Sequence, residues 1–373
     1  MWRRSHWPLG RGGGSPGCRR YSGRVPPTPL IDPFGRRVTD LRVSITDRCN
    51  LRCTYCMPEE GMQWMPRDDL LTYEEQARIV RVCVDRYGFE SVRITGGEPL
   101  VRAHVTRLIG MLAPLGVDIA LTTNGVKLAE AAHDLAAAGL TRINVSLDSL
   151  RPNAFAALTR RDDLPRVLAG VDAALDAGLH PVKINCVVMR GVNDHEVVDL
   201  AAYGRAKGVG VRFIEFMPLD AQGDWNEDLV VPAAEILERI DAVFPLADPP
   251  RKGAGTGHVE PAERFRFADG IGDVGVIASV TAPFCEQCDR IRVTAEGKLR
   301  TCLFALEEFD LRAILRDEGL RIEGHSDDDA DDHGLDDRLA AEIERAVATK
   351  WAGHRIGQVD FVRPGRSMSQ IGG

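Results

Sequence analysis

The sequence contains no apolar run that approaches the ~18 residues needed to cross a membrane. It also lacks acidic residues over positions 1–31, although six arginines lie there. The remaining 342 residues carry all 55 acidic residues and 41 basic ones, a net charge of −14. So acidic a surface disfavours nucleic acid and anionic membranes as partners, and we expect neither. An anionic ligand would therefore require a local basic pocket.

Residues 1–31 also lack the hydrophobic periodicity of a folded segment and are rich in Gly, Pro and Arg. We predict a disordered, Arg-rich extension there. An organelle transit peptide shares this composition, but proline and glycine would interrupt its amphipathic helix. The favoured interpretation is an unstructured extension on a cytoplasmic protein.

From residue 38 onward, short β-branched segments alternate with amphipathic ones. The predicted strands lie near 41–45, 91–95, 118–122, 142–147, 181–188 and 211–216. The predicted helices lie near 73–86, 103–112, 128–138, 164–177 and 194–207, and glycines 88, 139, 178 and 208 fit positions just beyond helix ends. This alternation predicts an α/β fold over residues 32–218, with a parallel sheet curled into a partial (β/α)6 barrel of the TIM type.

Polar segments follow five of the six predicted strands, at 47–56, 96–99, 123–125, 148–149 and 217. The carboxyl ends of parallel strands meet at one end of such a barrel. We therefore expect a single functional site there.

Residues 219–373 break the alternation and are predicted to form a C-terminal region that closes the barrel. Expected elements are a helix near 233–243, a strand pair near 274–279 and 290–294, and a final helix near 339–350. The acidic run 323–337 lacks the spacing of a calcium loop, so we predict a solvated loop between helices.

Cysteine is clustered: six of the nine residues form two groups of three. The groups are C-x3-C-x2-C at Cys49, Cys53 and Cys56, and C-x2-C-x13-C at Cys285, Cys288 and Cys302. Such grouping in a chain without an evident secretory signal indicates metal ligation in a reducing compartment. Three thiolates without a fourth ligand favour an iron–sulfur cluster with one open iron over structural zinc. Zinc is a stronger rival at the second group, which His258 or His325 could complete, while Cys83 and Cys186 are predicted core residues.

The first cysteine motif, with Tyr55 before its last cysteine, is the signature of the radical S-adenosylmethionine (SAM) superfamily. The match extends through DLRVSITDRCNLRCTYCMPEEG, VRITGGEPL, LTTNG, INVSLDSL, VKINCVVMRGVND, RFIEFMP, FCEQCDRIRVTAEGKLRTCLF and a terminal Gly-Gly. In this order the motifs resemble the GTP 3′,8-cyclase family, also called molybdenum-cofactor biosynthesis protein A. The resemblance covers about residues 32–373, apart from the acidic run.

This resemblance implies two [4Fe–4S] clusters, one on each cysteine group, with the second carried by the C-terminal extension. In relatives the first cluster binds the amino and carboxylate groups of SAM and cleaves SAM to methionine and a 5′-deoxyadenosyl radical. The SAM-binding positions of the family match Tyr55, Gly97, Ser146 and Met217. In the same GGEP loop, Gly96 and Gly97 would allow close backbone approach, and Glu98 suits the ammonium group of SAM. Taken alone, GGEP would indicate only a tight turn.

The second cluster binds the guanine of GTP in relatives. The matching GTP-binding positions are Arg42, Arg93, Thr122, Lys183, Arg212, Arg290, Ile291 and Arg292. Any single arginine would be interpreted as a surface ion pair, but a set arranged along the strand repeat suggests inward-facing cations that await an anion. Many relatives have lysine where this chain has Ser91, so the triphosphate would have one cationic contact fewer. Gly372 and Gly373 match a tail that relatives need for catalysis.

The implied reaction starts when the deoxyadenosyl radical abstracts the 3′ hydrogen of GTP. The C3′ radical attacks C8 of guanine, and one-electron reduction with protonation gives 3′,8-cyclo-7,8-dihydro-GTP, an early step of molybdenum cofactor (molybdopterin) biosynthesis. The resemblance also implies an electron donor such as flavodoxin or ferredoxin, a downstream cyclic pyranopterin monophosphate synthase, and a homodimer as one oligomeric form. Two alternatives stay open: a peptide-modifying radical SAM enzyme with an auxiliary cluster, and a non-catalytic zinc protein.

Overall fold

The computed structural model describes residues 26–220, 222–247, 260–317 and 328–372. Predictions for residues 1–25, His258, His325, the start of the acidic run and Gly373 lie outside the described residues. In the part that is described, no helix has both the length and the apolar character needed to cross a membrane.

Six parallel strands follow one another in chain order around the sheet. They are β1 (Asp40–Ser44), β2 (Ser91–Thr95), β3 (Asp118–Thr123), β4 (Arg142–Ser146), β5 (Val182–Val188) and β6 (Gly210–Glu215). Each neighbouring pair is in parallel register, as in the pairing of Arg42 with Arg93 between β1 and β2. These strands confirm the predicted partial barrel.

Helices cover the outer face of the barrel. They are α1 (Tyr73–Tyr87), α2 (Val105–Leu112), α3 (Leu128–Ala137), α4 (Pro152–Thr159), α5 (Leu164–Asp176) and α6 (Val197–Lys207). Helix α1 starts at a capping box in which Thr72 and Glu75 exchange hydrogen bonds, and it ends at Gly88, whose φ of 68° is left-handed. The other three predicted helix-ending glycines also have positive φ. Helix α4 was not predicted, because eight residues that begin with a proline show too little periodicity.

The strands alternate between a core face and a barrel face. In β1, Leu41 and Val43 are buried in the main hydrophobic core, whereas Arg42 lines a central cavity. This alternation supplies both an apolar layer under the helices and a polar lining inside the barrel.

The C-terminal strands extend both ends of this sheet, and the predicted strand pair is wrong. Strand β8 (Asp273–Ile277) pairs in parallel with β6, whereas β9 (Arg290–Val293) pairs in parallel with β1. Each therefore satisfies a sheet edge that would otherwise be open. Three short antiparallel strands lie outside them: β7 (Glu263–Arg266), β10 (Lys298–Arg300) and β11 (Phe309–Asp310).

Four helices complete the described C-terminal region. They are α7 (Ala233–Asp241), α8 (Leu311–Leu315), α9 (Asp328–Ala348) and α10 (Met368–Ile371). Helix α9 starts inside the acidic run, so the predicted loop is wrong from residue 328 onward. Asp336 and Asp337 pair with Arg78 and Arg86 of α1 and so anchor this helix to the barrel.

The folded part begins earlier than the predicted boundary at residue 32. Leu30 is buried in the main core, and its carbonyl accepts a hydrogen bond from the Val38 amide at 2.9 Å. Residues 26–31 therefore belong to the domain.

Candidate functional site

One cavity at the carboxyl ends of the parallel strands contains most of the predicted site. All six motif cysteines line it, as do the four predicted SAM positions. The predicted GTP positions that line it are Arg42, Arg93, Thr122, Arg212, Arg290 and Arg292. The fold therefore brings together residues from both ends of the chain.

The first cysteine group lies on the loop after β1. The Cys56 amide donates to the Cys53 carbonyl at 2.9 Å, which tightens the loop into a turn. Asn124, which follows β3, directs its side-chain nitrogen at the Cys49 sulfur, 3.7 Å away. Ser369 of α10 lines the same cavity as these cysteines. Residues far apart in sequence thus surround the three sulfurs.

Tyr55 is held by a buried carboxylate. Its hydroxyl donates to Asp148 at 2.6 Å, and the other carboxylate oxygen accepts from the Val187 amide at 2.8 Å. Burial raises the pKa of Asp148 to about 6. Asp148 therefore fixes the orientation of the aromatic ring beside the first cysteine group.

The GGEP loop packs against the backbone that leads into the first cysteine group. A side chain at Gly96 would meet the Thr46 carbonyl oxygen at 2.7 Å, and one at Gly97 would collide with backbone oxygens of Asp47 and Arg48. Glycine is required at both places for this close packing.

The expectation that Glu98 faces an ammonium group is wrong. One carboxylate oxygen accepts from the Leu100 amide and the Thr123 hydroxyl, both at 2.8 Å, and the other accepts from the Asn124 amide at 2.6 Å. The side chain is buried and absent from the cavity lining. Glu98 instead ties the GGEP loop to the loop that carries Asn124.

The second cysteine group lies on two segments: one connects β8 to β9, and the other, with Cys302, follows β10. Cys285 and Cys288 sit on the first of these segments, and the Cys288 amide donates to the Cys285 carbonyl at 3.1 Å. The buried Lys350 ammonium contacts the Cys288 sulfur at 3.7 Å. It also donates to the carbonyls of Arg290 and Thr301, at 2.8 and 2.7 Å, so it ties together the segments beside Cys288 and Cys302.

The two thiol groups differ in their electrostatic surroundings. Burial raises the pKa of Cys49 to about 12 and that of Cys56 to about 11. Burial also opposes ionisation of Cys288, but the charges of Arg290 and Lys350 outweigh it and lower its pKa to about 7. Burial also raises the pKa of Cys285, so within the second group the cationic surroundings favour the thiolate of Cys288 in particular.

The chemistry of both donor sets fits iron–sulfur clusters. Each group supplies three thiols, the donor set of a [4Fe–4S] cluster with one open iron. Among the residues described, no group of three or more His, Cys, Asp or Glu side chains is arranged to hold a metal ion. His258 and His325, the predicted alternatives for completing a zinc site, lie outside the described residues, whereas His354 lines the cavity with the second group.

Four arginines, Arg42, Arg93, Arg290 and Arg292, form a cationic patch on the cavity wall. Strand register places Arg42 level with Arg93 on one side and with Arg292 on the other. The Nε atoms of Arg42 and Arg93 are buried without a hydrogen-bond partner. Burial, with the neighbouring charges of Arg290, Arg93 and Arg292, lowers the pKa of Arg42 well below its usual value. Such buried charge indicates an anionic ligand.

Ser91 faces Asp40, a buried carboxylate beside this patch. Its hydroxyl donates to Asp40 at 3.0 Å, and despite burial the charges of Arg93 and Arg42 lower the pKa of Asp40. The departure from relatives at residue 91 therefore lies next to the cationic patch.

Two predicted GTP residues do not line the cavity. Lys183 is ion-paired with Glu260 at 2.9 Å, beside Arg212. The Ile291 side chain is buried in the main hydrophobic core, because strand alternation turns it away from Arg290 and Arg292. Its side chain is therefore not a ligand contact.

The C-terminal segment reaches the cavity. Arg292 donates to the carbonyls of Gly372 at 2.8 Å and Ile371 at 3.3 Å, and a side chain at Gly372 would collide with Thr95. The predicted role of Gly373 concerns a residue that the structure does not describe.

Sequence reasoning missed several residues that surround the site. Asn124 and Asp148 lie in the polar segments 123–125 and 148–149 that the sequence placed at the site, but neither residue was given a role. No local sequence signal marks Lys350, Glu260 or Ser369, because only the tertiary fold brings these residues close to the site.

Comparison with known proteins gives consistent matches along the chain. A Radical SAM superfamily model matches residues 43–204, and a Molybdenum Cofactor Synthesis C model matches residues 209–356. A GTP 3′,8-cyclase of Streptomyces coelicolor is 48% identical over 357 residues, covering 95% of this chain and 99% of that protein. One from Mycolicibacterium smegmatis is 49% identical and covers 92% of each chain.

Solved structures support the same fold. Streptococcus suis SuiB bound to S-adenosylmethionine is similar with a TM-score of 0.50 and 15% identity, covering 83% of this chain and 69% of that chain. At this identity the similarity speaks for the fold alone.

Proposed function

Because the chain belongs to the GTP 3′,8-cyclase family of radical SAM enzymes, we propose that its cavity binds SAM at the first cysteine group and GTP at the second. The product is 3′,8-cyclo-7,8-dihydro-GTP, made for molybdenum cofactor biosynthesis. One observation carries this proposal: both cysteine groups line the same cavity as an arginine patch in which the Nε atoms of Arg42 and Arg93 are buried without a hydrogen-bond partner.

Residues around the first cysteine group position SAM. A [4Fe–4S] cluster on Cys49, Cys53 and Cys56 would supply the electron that cleaves SAM. Tyr55, fixed by its hydrogen bond to Asp148, provides a rigid wall beside the cluster. The GGEP backbone is held against the cysteine loop, so it presents fixed polar groups to the bound amino acid.

Arginines of the barrel strands and the second cysteine group position GTP. The triphosphate carries about four negative charges, and its oxygens would satisfy the unpartnered Nε atoms of Arg42 and Arg93. We propose that Cys285, Cys288 and Cys302 hold a second [4Fe–4S] cluster that binds guanine. These contacts would fix C3′ of the ribose toward the radical source.

The chain also shields the reaction from water. Met368 and Ser369 of α10 line the cavity together with Phe304, which packs on Phe361 at a ring separation of 5.9 Å. A reactive carbon-centred radical needs this exclusion to avoid side reactions.

The electron balance requires an external partner. One electron cleaves SAM and a second reduces the cyclised nucleotide, which also takes up one proton. We propose a donor such as flavodoxin or ferredoxin in the cytoplasm, a homodimeric enzyme, and transfer of product to cyclic pyranopterin monophosphate synthase.

Isotope transfer tests the proposal. The protein, reconstituted with iron and sulfide without oxygen, is incubated with SAM, a reductant and GTP that carries deuterium at C3′. We expect deuterium in 5′-deoxyadenosine and a product isomeric with GTP, both detected by mass spectrometry. Formation of 5′-deoxyadenosine without deuterium, and without loss of GTP, would contradict the proposal and favour the peptide-modifying alternative.

A further inference from the structure

Glu260 lies between Lys183 and Arg212, two cations that match GTP-binding positions of the family and that we include in the proposed GTP site. One carboxylate oxygen, Oε1, is 2.9 Å from the Lys183 ammonium and 2.9 Å from the Arg212 guanidinium. The next residue, Pro261, lines the cavity, as does Arg212 itself. A single anionic oxygen thus bridges the two cations at the cavity edge.

The Glu260 carboxylate is itself only partly hydrogen-bonded in this position. Its second oxygen, Oε2, is buried without a hydrogen-bond partner. A phosphate group offers three oxygens and more negative charge, so it can bond both cations without leaving a buried oxygen unpaired. The pair is therefore better matched to phosphate than to the carboxylate that now occupies it.

The two cations need an anion whether or not nucleotide is bound. Burial and the nearby charge of Arg212 lower the pKa of Lys183 to about 8. Burial alone would raise the pKa of Glu260, but Arg212 and Lys183 lower it to about 2, so the carboxylate stays ionised near neutral pH. The negative charge of Glu260 therefore offsets the repulsion between Lys183 and Arg212.

We infer that Glu260 is an affinity-determining residue of the phosphate subsite: it occupies the place of a substrate phosphate between Lys183 and Arg212, and a nucleoside triphosphate displaces it on binding. This inference rests on the proposed function, because it takes the same two cations as GTP contacts. Breaking the ion pairs of Glu260 therefore offsets part of the favourable free energy of triphosphate binding. Glu260 therefore weakens GTP binding and eases release of a phosphorylated product.

Calorimetric titration of the anaerobically reconstituted full chain tests this exchange. Glu260→Gln keeps the size of the side chain and removes its charge. We expect GTP to bind about fivefold more tightly to this variant, because binding no longer has to break the partly exposed ion pairs of Glu260. The affinity for guanosine should be unchanged, because guanosine has no phosphate. The titrations are run with and without Mg²⁺.

A matched control removes an acidic charge that does not interact with Glu260 or its two cations. Asp269 pairs with Arg205 at 2.5 Å and lies outside the cavity lining. Asp269→Asn should change GTP affinity by less than about twofold, which separates local displacement from the general loss of negative charge.

A second measurement uses the unaltered protein and does not depend on a variant that folds. Carbodiimide labelling of carboxyl groups, followed by mass spectrometry, should modify Glu260 more when GTP is bound, because the displaced side chain enters solvent. Guanosine should leave the labelling unchanged.

The outcomes separate this inference from the function on which it rests. If wild-type protein binds no GTP, the proposed function fails. If it binds GTP but Glu260→Gln binds GTP equally or more weakly, or if GTP protects Glu260 from labelling, only the displacement is refuted. Weaker binding that appears only with Mg²⁺ would instead make Glu260 a metal ligand.

Discussion

Removing Arg42 should stabilise the ligand-free protein and weaken GTP binding. Arg42 is surrounded by Arg93, Arg290 and Arg292, and its Nε has no hydrogen-bond partner. Arg42→Met keeps a side chain that fills a similar space but removes the charge. The two effects have opposite signs, because the charge that binds an anion is repulsive when the anion is absent.

The magnitudes follow from burial and from the missing partner. Replacing buried ionic groups by apolar side chains is often neutral or stabilising by about 1–4 kcal/mol, so we expect the melting temperature of ligand-free protein to rise by several degrees. Loss of a charge-assisted contact costs about 1.5–3 kcal/mol, which corresponds to GTP binding about ten- to a hundredfold weaker. Asp40 keeps its hydrogen bond from Ser91 in the variant.

The assay pairs thermal denaturation with calorimetric titration of GTP, and Arg142→Met is the control. Arg142 on β4 also leaves its Nε unpartnered, but it pairs with Asp118 and does not line the cavity. The control should lower the melting temperature and leave GTP affinity unchanged. A lower melting temperature for Arg42→Met with unchanged GTP affinity would refute the assignment of this patch to the nucleotide.

Four further predictions concern the cysteine groups and the chain ends. Cys53→Ser should abolish formation of 5′-deoxyadenosine, because oxygen is a poor replacement for thiolate on iron. The control Cys83→Ser, which lies in the core and away from the cavity, should still form 5′-deoxyadenosine. Near-normal SAM cleavage in Cys53→Ser would contradict the cluster assignment. Cys288→Ser should lose cyclisation while the iron absorbance of the first cluster persists, and retained cyclisation would argue against a second cluster. Arg292→Ala should weaken GTP binding about ten- to a hundredfold with both clusters present. It should also loosen the C-terminal segment, to which Arg292 donates a hydrogen bond, and limited proteolysis can detect this change. Unchanged GTP affinity would mean that Arg292 does not contact the nucleotide. Deletion of residues 1–25 should leave turnover unchanged, and a large drop in turnover would mean that the segment reaches the site.

The local features of the barrel could be predicted from sequence. Buried β-branched runs and helix-ending glycines carry signals within a few residues, and strands β2 and β3 begin at the residues predicted for them. Inward arginines such as Arg42 and Arg93 were also predictable, because a charged residue inside an apolar strand must find an anion.

The C-terminal strands could not be placed in the same way. Strands β8 and β9 were expected to pair with each other because they are neighbours in sequence, but the vacant edges of β6 and β1 bind them instead. Which edge a strand joins depends on the whole sheet and leaves no local pattern. For the same reason, Glu98 looked like a ligand contact, although its carboxylate accepts from the Thr123 hydroxyl and the Asn124 amide of a loop distant in sequence.

The position of β9 beside β1 has a consequence for how the enzyme is made. The ribosome releases the first cysteine loop more than two hundred residues before Cys285, an interval on the order of ten to fifty seconds at ordinary translation speed. During that interval β1 has no partner on its outer edge. The first cysteine loop is therefore synthesised well before the second, and the cavity that contains both is complete only when β9 has paired with β1.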